Sequence, residues 1–108
     1  MEKEYESELE VTEFYDTEAC EDYFVKMAMS IRTKSRRIVF HYILNNPGSS
    51  AREIMEDLDF SKSFVLTTIR SMKNAGLVKA AYKRESGKNY YYIDAENFSK
   101  FLERIHFL

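Results

Sequence analysis

The strongest constraint on the fold is a pair of short amphipathic segments, each with its own helix start signal, separated by only a few residues. The first segment begins at Ser50, which forms the S-x-x-E pattern of a capping box with Glu53. The second segment begins at Ser61. Its apolar residues recur at helical spacing and are Val65, Ile69 and Met72. Because two helices joined by so short a turn form a helix-turn-helix, we predict this motif over about residues 50–75.

The residues after this pair change from helical to strand periodicity. Gly76 stands where a left-handed residue commonly ends a helix, and two runs of β-forming residues follow, LVKAAYK and NYYYI. The glycine-containing tip RESGK separates the runs, so we predict a β-hairpin over about residues 77–93. Helical periodicity predicts further helices over about 17–31, 33–45 and 95–107.

A helix-turn-helix followed by a hairpin predicts a winged helix, mainly α with a small β-hairpin wing. The segment SKSFVLTTIRSMKNAGLVKA resembles the recognition-helix region of arsenic-repressor (ArsR)-like and related MarR-like winged-helix regulators, whose pattern runs roughly S-x-S-x-V-S-x-x-L-x-x-L-x-x-A-G-L-V. The matching positions are Ser61, Ser63, Val65, Ile69, Met72, Ala75, Gly76, Leu77 and Val78. The segments RTKSRRIVFHYILNN and SAREIMEDLDF are similar to the family's second and third helices, so the resemblance covers about residues 20–105.

The resemblance implies a regulator of transcription that binds double-stranded DNA in a sequence-preferring way. In this family the recognition helix lies in the major groove, the wing contacts the backbone and the terminal helices pair two subunits. Hydroxyl and guanidinium groups suit base edges, whereas lysines suit phosphates. The predicted DNA-binding residues are Lys62, Ser63, Thr67, Arg70, Lys73, Arg84 and Lys88. Phe64 has two readings at this stage, contact with a thymine methyl group or packing on the neighbouring helix.

The first and last helices carry more apolar side chains than a three-helix core with a wing can cover. A large exposed apolar patch is typical of an interface, and symmetric dimers are the commonest oligomers. We therefore predict a homodimer in which these extra helices pair. The predicted interface residues are Tyr23, Phe24, Met27, Phe98, Phe101, Leu102 and Ile105.

Charge is divided unevenly along the chain. Residues 1–22 hold ten acidic residues and one lysine, a net charge of −9, whereas residues 23–108 hold fifteen Lys and Arg against eight acidic residues, a net charge of +7. We predict an acidic arm (residues 1–16) joined to a winged-helix domain (residues 17–108). Such asymmetry is typical of a domain that faces nucleic acid, or of a tail that regulates one. A merely solubilising tail is the alternative, and another hypothesis is that the arm folds over the recognition helix and mimics phosphate.

Other classes of function find little support in the sequence. It has no Gly-rich phosphate loop, no nucleophile elbow and no cluster with catalytic spacing, so we expect no enzyme. Cys20 is the only cysteine, and Glu103 with His106 supplies only two ligands, so we expect neither a metal nor a cofactor. The apolar runs are too short to span a membrane and the acidic start is unlike a signal peptide, so we expect a cytoplasmic protein. The competing hypothesis is a winged-helix protein–protein interaction module with weak or no DNA binding.

Overall fold

The fold is the predicted winged helix-turn-helix, mainly helical with a small antiparallel hairpin. The computed structural model describes residues 17–106, and the side chains of residues 23–105. The predicted acidic arm therefore lies outside the described residues, as do residues 107–108. The elements in chain order are α1 (Thr17–Ser30), α2 (Lys34–Asn45), α3 (Ala51–Leu58), α4 (Lys62–Asn74), β1 (Val78–Lys83), β2 (Lys88–Ile93) and α5 (Ala95–His106).

The helix-turn-helix consists of α3 and α4, and both helices begin at the predicted caps. The Ser50 hydroxyl accepts a hydrogen bond from the Glu53 N–H at 3.2 Å, and the Glu53 carboxylate accepts one from the Ser50 N–H at 2.9 Å. The Ser61 hydroxyl accepts from the Phe64 N–H at 3.1 Å. Between the helices Asp59 takes the left-handed conformation, with φ of 58°, which an aspartate tolerates better than most residues. The chain therefore reverses direction within a very short turn.

The end of α4 is fixed by a Schellman motif centred on Gly76. The Leu77 N–H donates to the Met72 carbonyl at 2.9 Å, and the Gly76 N–H donates to the Lys73 carbonyl at 3.0 Å. Gly76 has φ of +87°, and an added Cβ there would lie 3.1 Å from the amide nitrogen of Asn97. That same amide donates to the Gly76 carbonyl at 2.9 Å. Glycine is therefore required both by the backbone conformation and by the close approach of α5.

The hydrophobic core lies where α2, α3 and α4 meet the base of the hairpin. Its fully buried apolar side chains are Val39, Ile43, Ile54, Val65, Met72 and Leu77. The terminal helices pack on this core through aromatic pairs. The Phe24 and Phe101 rings have centroids 5.3 Å apart, and the Phe40 and Phe98 rings have centroids 5.0 Å apart. The burial of these large side chains is the main source of the domain's stability.

The wing is joined to the start of the helix-turn-helix by an isolated β-bridge between Ser49 and Tyr91. Strands β1 and β2 pair antiparallel, in register from Val78 opposite Ile93 to Lys83 opposite Lys88. On the other side of β2, the Tyr91 N–H donates to the Ser49 carbonyl and the Gly48 N–H donates to the Tyr91 carbonyl, both at 2.8 Å. The chain that leads into the α3 cap therefore also holds the wing.

A hydrogen bond between α2 and α3 gives the domain a testable pH dependence. The Tyr42 hydroxyl donates to the Asp57 carboxylate at 2.5 Å. This bond, with a smaller contribution from burial and from the charges of Asp57 and Glu53, raises the pKa of Tyr42 from 10.0 to about 12. Because the folded state holds the phenolic proton more tightly than the unfolded chain, the resulting stabilisation is complete below pH 10 and is lost as the pH rises through 12.

We expect Tyr42→Phe to lower the free energy of unfolding at about pH 8 by no more than ~1 kcal/mol, since the bond is exposed to solvent. This deficit should shrink between about pH 10 and pH 11.5, where the wild-type chain loses the contribution of the bond. Urea unfolding of both proteins across this range is the measurement. All other ionisable groups are common to the two proteins, so the difference between them isolates Tyr42. A difference that stays constant with pH would contradict the assignment.

Candidate nucleic-acid interface

Helix α4 has one face in the core and one face in solvent. The buried side chains that fix its orientation are Val65, Thr68, Ile69 and Met72. The opposite face presents Ser63, Thr67 and Arg70 in one exposed stripe, because their spacings of four and three residues repeat the turn of the helix. Lys62 and Lys73 are exposed near the two ends of the helix. The core thus turns the five predicted α4 residues to the outside.

The basic side chains on the solvent face of α4 form no ion pairs with the described acidic residues. The ion pairs between side chains described by the structure are Arg52 with Glu56 and Lys100 with Glu96, so Lys62, Arg70 and Lys73 pair with no carboxylate among the described residues. A solvated lysine or arginine without an acidic neighbour suits a phosphate or a base edge, because no internal ion pair has to be broken first.

The tip of the wing is also basic. Lys83, Arg84 and Lys88 are exposed, with Glu85 as the acidic residue between them. Lys83 stands directly opposite Lys88 in the strand register, a like-charge pair that weakens a hairpin. The Lys83 ammonium also lies 4.8 Å from the centroid of the Tyr90 ring. The Lys83–Lys88 pair lowers the stability of the isolated hairpin and concentrates positive charge at its tip. A bound polyanion would offset this loss of stability.

The C-terminal half of α4 and the wing strand β2 form one continuous surface. A shallow depression of about 190 Å³ lies between them. Its lining residues are Leu66, Ile69, Arg70, Lys73, Asn74 and Tyr91. Two of the predicted DNA-binding side chains therefore lie beside the wing rather than on a separate face.

Phe64 belongs to the packing between the two helices of the motif. Its ring lies edge to face on Phe60, with centroids 5.1 Å apart and an interplanar angle of 71°. Phe64 is partly buried against the core. Of the two readings that the sequence leaves open, the structure supports packing.

The structure divides the predicted dimer-interface residues into two groups. Met27 and Phe101 are buried in the core of this chain, and Phe24 and Phe98 are partly buried against it. Exposed apolar side chains remain on both terminal helices. They are Tyr23, Leu102 and Ile105 from the predicted set, together with Val25 and Met29, which the sequence analysis did not select. The spacing of Val25 and Met29 by one helical turn was the signal that could have found them.

Thr68 is a feature of α4 that the sequence analysis missed. Its side chain is fully buried, and its hydroxyl oxygen has no hydrogen-bond partner among the described residues. A buried hydroxyl loses its hydrogen bonds to water, and without a partner in the protein this loss destabilises the folded state. Valine has nearly the same shape and lacks the hydroxyl.

We expect Thr68→Val to raise the free energy of unfolding by about 1 kcal/mol, because it removes this uncompensated group. Denaturant unfolding measures the change. The matched control is Thr67→Val at the exposed neighbouring position, for which we expect a change within about 0.5 kcal/mol. A loss of stability in Thr68→Val larger than in the control would show that the hydroxyl does have a partner.

Neither a cluster of metal-ligating side chains nor a membrane-spanning helix occurs within residues 17–106. No three described His, Cys, Asp or Glu side chains lie together as the ligands of a metal ion would. None of the helices in this range is long and apolar enough to cross a membrane.

Comparison with known proteins gives matches among solved structures. No protein-family model matches the chain, and no curated protein sequence matches it. The homodimeric winged helix-turn-helix DNA-binding domain Mb0332 from Mycobacterium bovis, a possible ArsR-family transcriptional regulator, is 14% identical, with a TM-score of 0.68 over 83% of this chain and 81% of that one. An ArsR-like transcriptional regulator from Rhodococcus sp. RHA1 is 15% identical, with a TM-score of 0.71 over 82% of this chain and 83% of that one.

A further match is a protein whose structure was solved in a complex with DNA. FabT of Streptococcus pneumoniae, in a complex with DNA, is 7% identical, with a TM-score of 0.56 over 85% of this chain and 69% of that one. The element order and these matches together define a winged helix-turn-helix protein. Within that class, the predicted resemblance to ArsR-like regulators is confirmed for the architecture. The Rhodococcus neighbour is an ArsR-like transcriptional regulator, and the Mycobacterium bovis neighbour is a possible one.

Proposed function

We propose that this chain is a transcriptional regulator that binds double-stranded DNA in a sequence-preferring way. Helix α4 enters the major groove, where Ser63, Thr67 and Arg70 contact base edges. Lys62 and Lys73 contact phosphates at the rim of the groove, and the wing residues Arg84 and Lys88 contact the backbone beyond it. The hydroxyl groups and Arg70 thus read the bases, whereas the lysines and Arg84 position the protein on the backbone.

The observation that carries this proposal is the solvent face of α4. A helix whose outer face served only solubility would tolerate any polar residue and would gain from acidic partners for its cations. This face instead carries small hydroxyls at Ser63 and Thr67, and its cations have no acidic partner among the described residues. Small side chains let the helix backbone approach a groove closely, and the cations match the charge of the duplex.

We propose further that the DNA-binding unit is a homodimer paired through α1 and α5. Support comes from the exposed apolar side chains on α5, where Leu102 is 48% exposed and Ile105 is 44% exposed. The Mycobacterium bovis domain of the same fold is homodimeric. Two α4 helices related by a twofold axis would read two half-sites about one helical turn of DNA apart.

Fluorescence anisotropy of labelled duplexes across a salt series tests the DNA-binding proposal. If Lys62, Lys73, Arg84 and Lys88 each neutralise one phosphate in each subunit, the logarithm of the binding constant should fall with the logarithm of salt concentration with a slope of about −7 for a dimer. Selection from a random-sequence pool then gives the preferred site. Absent binding, or binding that does not respond to salt, would reject the proposal in favour of a protein–protein interaction module.

Replacing Leu102 and Ile105 together with glutamate should convert the dimer to a monomer, because two buried carboxylates per subunit would have to be desolvated at the interface. Sedimentation equilibrium should give twice 12.8 kDa for the wild-type chain and 12.8 kDa for the variant. Tyr82→Glu on the wing, where the side chain is 64% exposed, is the control and should stay dimeric. A variant that remains dimeric would place the interface on another surface.

A further inference from the structure

The outer edge of β1 carries backbone groups that point away from the wing. Tyr91 bonds its N–H and its carbonyl to Ser49 and Gly48, on the side of β2 opposite to β1. Ala80 is the register partner of Tyr91. Because the N–H and carbonyl of Tyr91 point away from β1, Tyr91 and Ala80 form a non-hydrogen-bonded pair of the antiparallel ladder. In such a pair both residues direct their N–H and carbonyl groups away from each other, so those of Ala80 point to the outer edge of β1. By the two-residue period the same holds for Tyr82.

This edge is open among the residues that the structure describes. The described sheet has two strands, and the segment at Ser49 adds to β2 rather than to β1. An open edge with unpaired N–H and carbonyl groups is a template for an additional strand.

The two faces of β1 differ in chemistry. Lys79, Ala81 and Lys83 lie on one face because they alternate along the strand, and all three are exposed. Ala80 and Tyr82 lie on the other face, and Tyr82 is 64% exposed. A strand that fits this edge therefore has negative charge beside Lys79 and Lys83 on one face and apolar or aromatic side chains on the other. The lysines also disfavour a basic strand.

The acidic arm contains such a sequence. Residues 4–11 read E-Y-E-S-E-L-E-V, so glutamates occupy every second position. In an extended conformation the four glutamates share one face, and they are Glu4, Glu6, Glu8 and Glu10. The apolar and aromatic residues of this segment share the other face, and they are Tyr5, Leu9 and Val11. The glutamates recur every two positions and the two lysines of β1 are four positions apart, so every second glutamate can lie beside a lysine.

We propose that residues 4–11 of this chain bind the open edge of β1 as an added strand, with their glutamates beside Lys79 and Lys83. Each outward N–H and carbonyl of β1 gains a backbone partner, and opposite charges come to lie next to each other across the strands. Leu9 and Val11 then lie on the face of Ala80 and Tyr82. The arm occupies the wing in the absence of DNA and competes with phosphate for it, a consequence that rests on the proposed function.

The connection is long enough for this contact within one chain. Met27 of α1 lies beside Gly76, since an added Cβ at Gly76 would be 3.9 Å from the Met27 methyl group. Gly76 is two residues before β1. The start of α1 at Thr17 is ten helical residues away from Met27, roughly 15 Å along the helix axis. The extended chain from Glu10 to Thr17 spans roughly 23–25 Å.

Amide hydrogen exchange of the full-length chain without DNA tests the proposal. We expect the Ala80 and Tyr82 amides to exchange at least about 10-fold more slowly than in a variant whose residues 4–11 are permuted to E-E-E-E-Y-S-L-V. This permutation keeps composition and net charge but removes the alternation. A second variant, Glu4→Gln/Glu6→Gln/Glu8→Gln/Glu10→Gln, keeps the alternation and removes the charge, and should also lose the protection.

The Lys79 and Ala81 amides face β2 and serve as internal controls, because their exchange reports whether the hairpin itself is intact. Equal exchange of Ala80 and Tyr82 in the wild-type chain and in the permuted variant would overturn the proposal. Protection that increases with protein concentration would overturn it as well, since the strand would then come from a second copy.

The DNA part has a separate readout. The permuted variant should bind duplex DNA about 3- to 10-fold more tightly than the wild-type chain at low salt, with the difference fading as salt rises. Equal affinities of the two proteins would overturn the competition while leaving the edge contact to the exchange data. If neither protein binds DNA, the proposed function fails, yet the exchange measurement still decides whether the arm binds β1.

Discussion

The variant Lys62→Ala/Arg70→Ala is expected to bind its preferred duplex roughly 30- to 1,000-fold more weakly than the wild-type chain, a loss of ~2–4 kcal/mol. Arg70 is the last residue of the exposed stripe of α4, and its guanidinium can bond two acceptors of one guanine. Lys62 is at the start of the same helix, where an ammonium suits a phosphate. The loss of Arg70 should relax sequence preference, and the loss of Lys62 should lower the salt slope by about 1 per subunit.

Fluorescence anisotropy with specific and random duplexes separates these two effects. Lys100→Ala is the matched control, because it removes one exposed cation from α5, where Lys100 pairs with Glu96 at 3.6 Å. We expect its affinity to change less than about 3-fold. Thermal unfolding of each protein shows that the fold is retained. If the double variant binds as well as the control, α4 is not the reading helix.

Replacing Ile43 with alanine is expected to lower the free energy of unfolding by ~2–5 kcal/mol. Ile43 is in the centre of the core and is 0% exposed, so the substitution loses buried apolar surface and leaves a cavity that the surrounding helices fill only in part. For a small domain with a typical stability of about 5–15 kcal/mol, this loss brings the folded state close to its limit.

The control for this variant is on the same helix. Ile38→Ala makes the same chemical change at a side chain that is 37% exposed, and we expect it to cost less than about 1.5 kcal/mol. Urea unfolding of both variants gives the comparison. Similar losses in the two variants would contradict the central position of Ile43 in the core, because alanine is the better helix former at both positions and the two sites differ in burial.

The elements whose signals are local in sequence were predicted well. The caps at Ser50 and Ser61, the end of α4 at Gly76 and the two strand runs all depend on residues within a few positions of one another. Such short-range chemistry is readable without knowledge of the tertiary structure. The exposed stripe of α4 was predicted for the same reason, since helical periodicity alone separates its polar side from its apolar side.

The features that depend on distant contacts were not predictable in this way. Met27 and Phe101 were selected as dimer-interface residues because they are large apolar residues on the terminal helices. The packing of α1 and α5 on the core of the same chain buries both of them. The bridge between Ser49 and Tyr91 joins residues 42 positions apart and has no local signal. The unpartnered hydroxyl of Thr68 is similarly a property of its surroundings and not of its own helix.

The bridge at Ser49 limits how the protein can adapt to a duplex. Ser49 holds Tyr91 of the wing, and the next residue caps α3, so the wing and the helix-turn-helix share one anchored backbone. Hinge motion between them would break two hydrogen bonds of 2.8 Å. With the proposed function, the spacing between groove and backbone contacts is set by the protein, and the DNA has to bend or narrow to meet it. Base steps that deform easily would then be favoured even where no side chain touches them.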